Sequence, residues 1–134
     1  MSQENVTIVE RAVAAVNAWD IDAYLACCTE DIELWTPVAA VAGVYEGRDG
    51  IERFFADIED AGPDFRIELE RAEAIGSDRV LARTNLTATG RASGLPTAAG
   101  TPATNVYDLV NGKITRVRIF LDHQAALEAV GLRE

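Results

Sequence analysis

Residues 101–121 read TPATNVYDLVNGKITRVRIFL, and the Asn111-Gly112 pair near their centre decides the architecture. Asn-Gly between two β-type runs signals a two-residue type I′ hairpin, because both central residues of that turn need positive φ. The flanking runs predict antiparallel strands over 101–110 and 113–121. The same period of two extends upstream. Phe65, Ile67 and Leu69 alternate with Arg66, Glu68 and Glu70, and Gly76-Ser77-Asp78 turns that strand into another over 79–89. Residues 90–100, Gly-rich and containing Pro96, predict a loop before the third strand of the set.

The first half of the chain carries the helical period instead. Val6, Val9, Val13 and Val16 recur at three- and four-residue spacing and predict a helix over 4–19. Asp20 is placed to cap a short helix over 21–28. Thr29-Glu30-Asp31 predicts a turn, Ile32–Trp35 a short strand ended by Pro37, and 38–48 a loop. Ile51, Phe54, Phe55 and Ile58 share one face of a helix over 49–60, stopped by Gly62-Pro63. A last helix over 122–130 ends at Gly131. Helices come early and hairpin-linked strands late, in the order α-α-β-α-β-β-β-β-α. That order predicts an α+β fold with an antiparallel sheet.

Composition narrows the function classes. The 134 residues fit one domain, 1–134, large enough to fold without a disulfide or metal staple. A net charge of −10 repels phosphate backbones and argues against nucleic acid or an anionic membrane as partner. No apolar run is long enough to span a bilayer, and the polar start Met1-Ser2-Gln3-Glu4-Asn5 lacks the features of a signal peptide, so a cytoplasmic location is expected. Cys27 and Cys28 are adjacent, a spacing unsuited to a disulfide, and read as buried, inert thiols. With one histidine, His123, and no CxxC, no metal site is expected and no cofactor is implied.

Alternation along the late strands sorts side chains between two sheet faces. Val117, Ile119 and Leu121 fall together, as do Val80, Ala82 and Leu86, giving an aliphatic face. Arg116, Arg118, Phe120 and Asp122 fall with Leu81, Arg83 and Asn85, and the expected grouping adds Asn105, Tyr107 and Leu109 to them. A mostly apolar surface with a few polar groups is the pattern of a ligand pocket. The mixed face is therefore the expected pocket wall, with Trp19, Trp35, Asn85, Asn105, Tyr107, Arg118 and Phe120 as candidate ligand contacts. An ion-pair network of Arg83, Arg118 and Asp122 is the alternative use of the same residues. The aliphatic face then needs a cover, and a second copy of the chain is expected there, making a homodimer.

Several segments match a known family. Val16-Asn17-Ala18-Trp19-Asp20-Ile21-Asp22, Thr29-Glu30-Asp31-Ile32-Glu33, Tyr45-Glu46-Gly47-Arg48-Asp49-Gly50, Asn111-Gly112-Lys113-Ile114 and Phe120-Leu121-Asp122 occur in family order. The chain resembles the SnoaL-like polyketide cyclase branch of the nuclear transport factor 2-like superfamily, which includes ketosteroid isomerase and limonene epoxide hydrolase. The resemblance covers essentially the whole chain. It implies a cone-shaped curved sheet wrapped by three N-terminal helices, closed by a C-terminal helix and holding a small hydrophobic ligand.

The resemblance also places residues. The tyrosine, base and protonated aspartate of ketosteroid isomerase would fall near Ala12, at Thr36 and near Asn105. The Arg-x-Asp pair of limonene epoxide hydrolase would fall on Arg83 and Asn85, and its second aspartate on Asp122, which also resembles the acid/base aspartate of the cyclases. One implied function is a cofactor-free cyclase, isomerase or lyase acting on a small hydrophobic carbonyl compound, with Asp122 moving a proton and Arg83 or Asn105 polarising the carbonyl. The rival readings are a non-catalytic small-molecule binding module and a dimeric scaffold. Asp122 itself also reads as the N-cap of the last helix or the ion-pair partner of Arg118 or Arg83.

Overall fold

A computed structural model describes residues 2–36, 44–61, 65–87 and 101–131. The elements are α1 (Ser2–Asn17), α2 (Ile21–Ala26), β1 (Cys28–Trp35), β2 (Tyr45–Glu46), α3 (Gly47–Ala61), β3 (Arg66–Ile75), β4 (Arg79–Thr87), β5 (Thr101–Val110), β6 (Lys113–Phe120) and α4 (His123–Ala129). The fold is α+β, with a curved, unclosed six-stranded sheet in the order β2-β1-β6-β5-β4-β3. The sheet is not wholly antiparallel as expected, because β1 runs parallel to β6. β1 begins at Cys28 rather than Ile32, and the two-residue β2, unforeseen in the sequence, extends the sheet beyond it. Of the loop expected over 38–48, residues 45–46 form β2 and 47–48 open α3, while 38–43, the loop expected over 90–100 and the Gly62-Pro63 stop lie outside the described residues. Among the described residues no helix is long and apolar enough to cross a membrane.

Helices α1, α2 and α3 cover one face of the sheet, here the inner face. The valine stripe makes that possible: Val9, Val13 and Val16 are buried against the sheet, each contributing roughly 1.5 kcal/mol by leaving water. Two asparagines clamp α1 to the sheet edge. Asn17 Nδ2 donates to the Ile67 carbonyl at 2.9 Å while its Oδ1 accepts from the Ile67 N–H at 2.8 Å. Asn5 Nδ2 donates to the Ser77 carbonyl at 3.0 Å. Because β3 is the sheet's edge strand, the Asn17 pair also occupies backbone groups that would otherwise face outward unpaired. α1 stops at Trp19, which takes φ 59° while its N–H reaches Val16 O and the Asp20 N–H reaches Ala15 O. This closing turn usually takes glycine, so the indole sits there at a cost of about 1 kcal/mol. At the other side, α3 lies so close to β2 that a Cβ on Gly50 would be 2.6 Å from the Tyr45 carbonyl carbon.

The Asn111-Gly112 turn forms as expected, with φ of 52° and 78°. One residue later the ladder slips. Leu109 pairs with Ile114 but Asp108 pairs with Arg116, which leaves Thr115 as an extra residue in β6. The bulge lets Ile114 and Val117 both point inward. It also corrects the expected face grouping. Tyr107 now pairs with Val117 and Asn105 with Ile119, while Val106 pairs with Arg118 and Thr104 with Phe120. Asn105 and Tyr107 therefore join the aliphatic face under the helices. Arg118 and Phe120 lie on the opposite, outer face with Leu81, Arg83 and Asn85, because a one-residue slip reverses the facing of a whole strand. α4 packs on that outer face, where Ala126 and Leu127 meet Leu81, Val106 and Phe120 in a second, smaller core.

Candidate functional site

A cavity of about 20 Å³ lies between the inner sheet face and the helices. Ala12, Val13 and Val16 of α1, Phe54 of α3 and Ile67 of β3 supply apolar walls. Val117 and Ile119 of β6 form part of the floor, with Asn105 and Tyr107 of β5 beside them. The volume admits one water-sized group. Among the described residues, Asn105 and Tyr107, with Tyr24 of α2, are the polar side chains of a lining that carries no carboxylate, imidazole, ammonium or guanidinium.

The polar pair is incompletely satisfied. Asn105 is 2% exposed, its Nδ2 donates to the Tyr107 hydroxyl at 3.2 Å, and its Oδ1 has no hydrogen-bond partner among the described residues. Burial pushes the Tyr107 phenol up to about 12, against the opposing effect of the Asn105 bond, and pushes Tyr24 well above its ordinary value. Both phenols are neutral donors near pH 7. Such a site can orient an uncharged molecule and polarise an oxygen on it. Among its described residues it has no group suited to shuttling protons near neutral pH. Among the described residues no cluster of His, Cys, Asp and Glu is placed to hold a metal.

The comparisons agree with this architecture. The sequence pattern of the SnoaL-like domain family matches residues 9–117. The chain belongs to the SnoaL-like family. Solved structures similar to this SnoaL-like chain include a cystatin-fold protein from Novosphingobium aromaticivorans, 27% identical with a TM-score of 0.72, the match covering 90% of this chain and 98% of that one. A nuclear transport factor 2-like protein from Burkholderia pseudomallei is 17% identical, with a TM-score of 0.71 over 98% and 99% of the two chains. A Xanthomonas campestris protein carrying a provisional polyketide cyclase label is 24% identical, with a TM-score of 0.67 over 97% and 98%. No curated protein matches the sequence.

Within this SnoaL-like fold the residues singled out in the sequence separate into two groups. Asn105 and Tyr107 line the cavity, as does Ala12. Arg83, Asn85, Arg118 and Phe120 lie on the outer face, placed there by the β6 bulge and the pairing of β4 with β5. Trp35 opposes Arg118 across the β1–β6 pair, is 41% exposed, and donates its indole N–H to Glu33 at 3.2 Å. Trp19 sits at the α1–α2 corner, in a surface groove with Arg48 and Glu52. The hydroxyl of Thr36, at the end of β1, has no partner among the described residues.

Asp122 is exposed, and its Oδ1 accepts from the Gln124 N–H at 3.0 Å, the geometry of an α4 N-cap. His123 is half-buried, its Nδ1 2.9 Å from the buried Thr104 hydroxyl. The arginines meet a different carboxylate, Asp108, which the sequence reading did not single out. Its Oδ1 takes Arg79 Nε at 2.8 Å, and its Oδ2 takes Arg116 Nε at 2.9 Å and lies 3.6 Å from Arg118 Nη2. With Glu33 opposite Arg116, charge alternates across four strands as Glu33, Arg116, Asp108, Arg79. Burial raises the Asp108 carboxyl, but Arg79, Arg116 and Arg118 outweigh it and hold the group below the usual carboxylate range. Period-two alternation could have placed Asp108 opposite Asn105 and Tyr107. Only the strand pairing brings it to the arginines. Cys28 is buried, its thiol pushed up to about 12, and Cys27 is half-buried; both are free.

Proposed function

We propose that the protein binds a small, uncharged, largely apolar carbonyl or hydroxyl compound in the inner-face cavity, anchored by Asn105 and Tyr107. The observation that carries this reading is a buried polar pair with an unpaired amide oxygen inside an otherwise apolar lining. Because the cavity has the volume of one water, anything larger has to spread the Val13, Val16 and Phe54 side chains as it enters. Capping of α4 by Asp122, outside the cavity, favours the binding module over acid/base chemistry at that residue. Titration with Nile red, a neutral apolar dye, tests the site. Binding is expected in the wild type and should be lost in Val13→Trp, which fills the cavity. Equal affinity in both proteins would refute the placement.

A cofactor-free cyclase or isomerase is the second reading. It is supported by membership of the SnoaL-like family, with the neutral Tyr107 hydroxyl polarising a carbonyl. A turnover assay on a substrate that binds, comparing Tyr107→Phe with Asp122→Asn, separates the two. Activity lost only in Tyr107→Phe supports this reading, and no turnover by the wild type refutes it.

The homodimer expected through Val117 and Ile119 needs another surface, since Val117 is buried and Ile119 lines the cavity within one chain. We place a second copy over the exposed apolar side chains Trp35 and Leu121, 41% and 55% exposed. Light scattering should give a dimer mass that falls to monomer in Trp35→Glu/Leu121→Glu. A wild-type monomer would overturn it.

A further inference from the structure

Asn105 and Tyr107 have different hydrogen-bonding capacity left over. Asn105 uses an amide hydrogen on the Tyr107 hydroxyl, which leaves its Oδ1 as an unpaired acceptor. Tyr107 accepts that bond, so its own hydroxyl hydrogen remains to be donated. An acceptor and a donor thus stand side by side on β5 in a space of about 20 Å³, which matches one oxygen atom better than a ring or chain. A hydroxyl is the group that answers both at once: its hydrogen meets Asn105 Oδ1 and its lone pair meets the Tyr107 O–H. A ketone or ether oxygen meets Tyr107 and leaves Oδ1 unpaired. An ionised oxygen would face that Oδ1 with no cation among the described lining residues.

We propose that Asn105 is a specificity-determining residue and that the pair selects neutral ligands bearing a hydroxyl, whether alcohol, phenol or enol, over isosteres lacking its hydrogen. The inference rests on the cavity being the binding site, and it adds which functional group the site selects. The polar end of the ligand takes the small space between Asn105 and Tyr107, while its apolar body displaces Val13, Val16 and Phe54. The Tyr107 phenol stays neutral through the physiological range, so it donates to the ligand instead of accepting from it.

Phenol, anisole and toluene form a graded probe set: donor and acceptor, acceptor only, and neither. Dissociation constants come from titrations followed by NMR shifts of the Val117 and Ile119 methyls. Phenol is expected to bind at least about tenfold tighter than anisole, the cost of one buried hydrogen bond left unmade. Asn105→Leu should bring the two within about twofold by weakening phenol alone. Anisole binding as well as phenol, or better, in the wild type would overturn the proposal, since the amide would then present its N–H groups to the cavity. If all three bind equally and Val13→Trp abolishes binding, the cavity reading stands and this inference falls. If none binds, or binding survives Val13→Trp, both fall. The wild-type comparison decides the matter even where a variant fails to fold.

Discussion

Replacing Asn105 with leucine should make the protein more stable. The buried Oδ1 lacks a partner, and a buried unpaired carbonyl costs about 1–3 kcal/mol. Leucine removes that cost and adds roughly 1.5 kcal/mol of apolar burial, its two methyls taking the places of the amide oxygen and nitrogen. Against this, the bond to Tyr107 is lost, about 1 kcal/mol, and the phenol hydroxyl loses its neighbour at a further cost of about 1 kcal/mol. The balance is a gain near 1 kcal/mol, or about 4 °C in Tm for a chain of this size. Urea unfolding should show a higher midpoint with an unchanged slope. Asn17→Ala is the contrasting control. Both ends of that amide are bonded to Ile67, so its removal should cost about 1–2 kcal/mol. If Asn105→Leu instead destabilises by 1 kcal/mol or more, the Oδ1 is satisfied in the fold and the pair is ordinary core bonding, which removes the physical basis of the proposed site.

Deleting Thr115 should leave a folded protein with a cooperative thermal transition, because the shortened β6 alternates regularly and keeps Ile114 opposite Leu109 and Arg116 opposite Asp108; loss of that transition would contradict the register. Asp108 is held below its unfolded pKa, so its arginine pairs stabilise the fold above about pH 4 and that contribution is lost as pH falls through the folded value. Asp108→Asn should therefore lower stability at pH 7 and flatten the acid limb of the unfolding curve, and an unchanged acid limb would count against the pairing. Asp122→Ala should lose about 1 kcal/mol and Asp122→Asn only a few tenths, as for a helix cap, with phenol affinity unaltered in both; a phenol affinity that drops in Asp122→Asn would return the residue to the site.

The elements were legible because their signals are local. The valine stripe of α1, the alternation in β3 and the positive-φ demand at Asn111-Gly112 each depend on neighbours a few residues away. β2 and the parallel β1–β6 pair were not legible, since a two-residue strand has no periodicity and a parallel pairing joins residues more than eighty positions apart. The candidate site was half legible. Asn105 and Tyr107 stand in the cavity, but strict alternation grouped Arg118 and Phe120 with them because it has no place for the β6 bulge, and Arg83 because it does not show which β5 residue each β4 residue faces.

The sequence by itself determined the fold class, the order of most elements and the alternation of each strand, because backbone propensity and hydrophobic period are properties of consecutive residues. Only the tertiary structure decided which alternating set lies under the helices. That choice rests on Thr115, whose insertion changes the parity between β5 and β6 and is invisible to a rule of strict alternation. Parity placed an unpaired amide oxygen in the apolar interior and gathered the arginines around Asp108 on the outside, because each side chain's surroundings are set by the strand beside it.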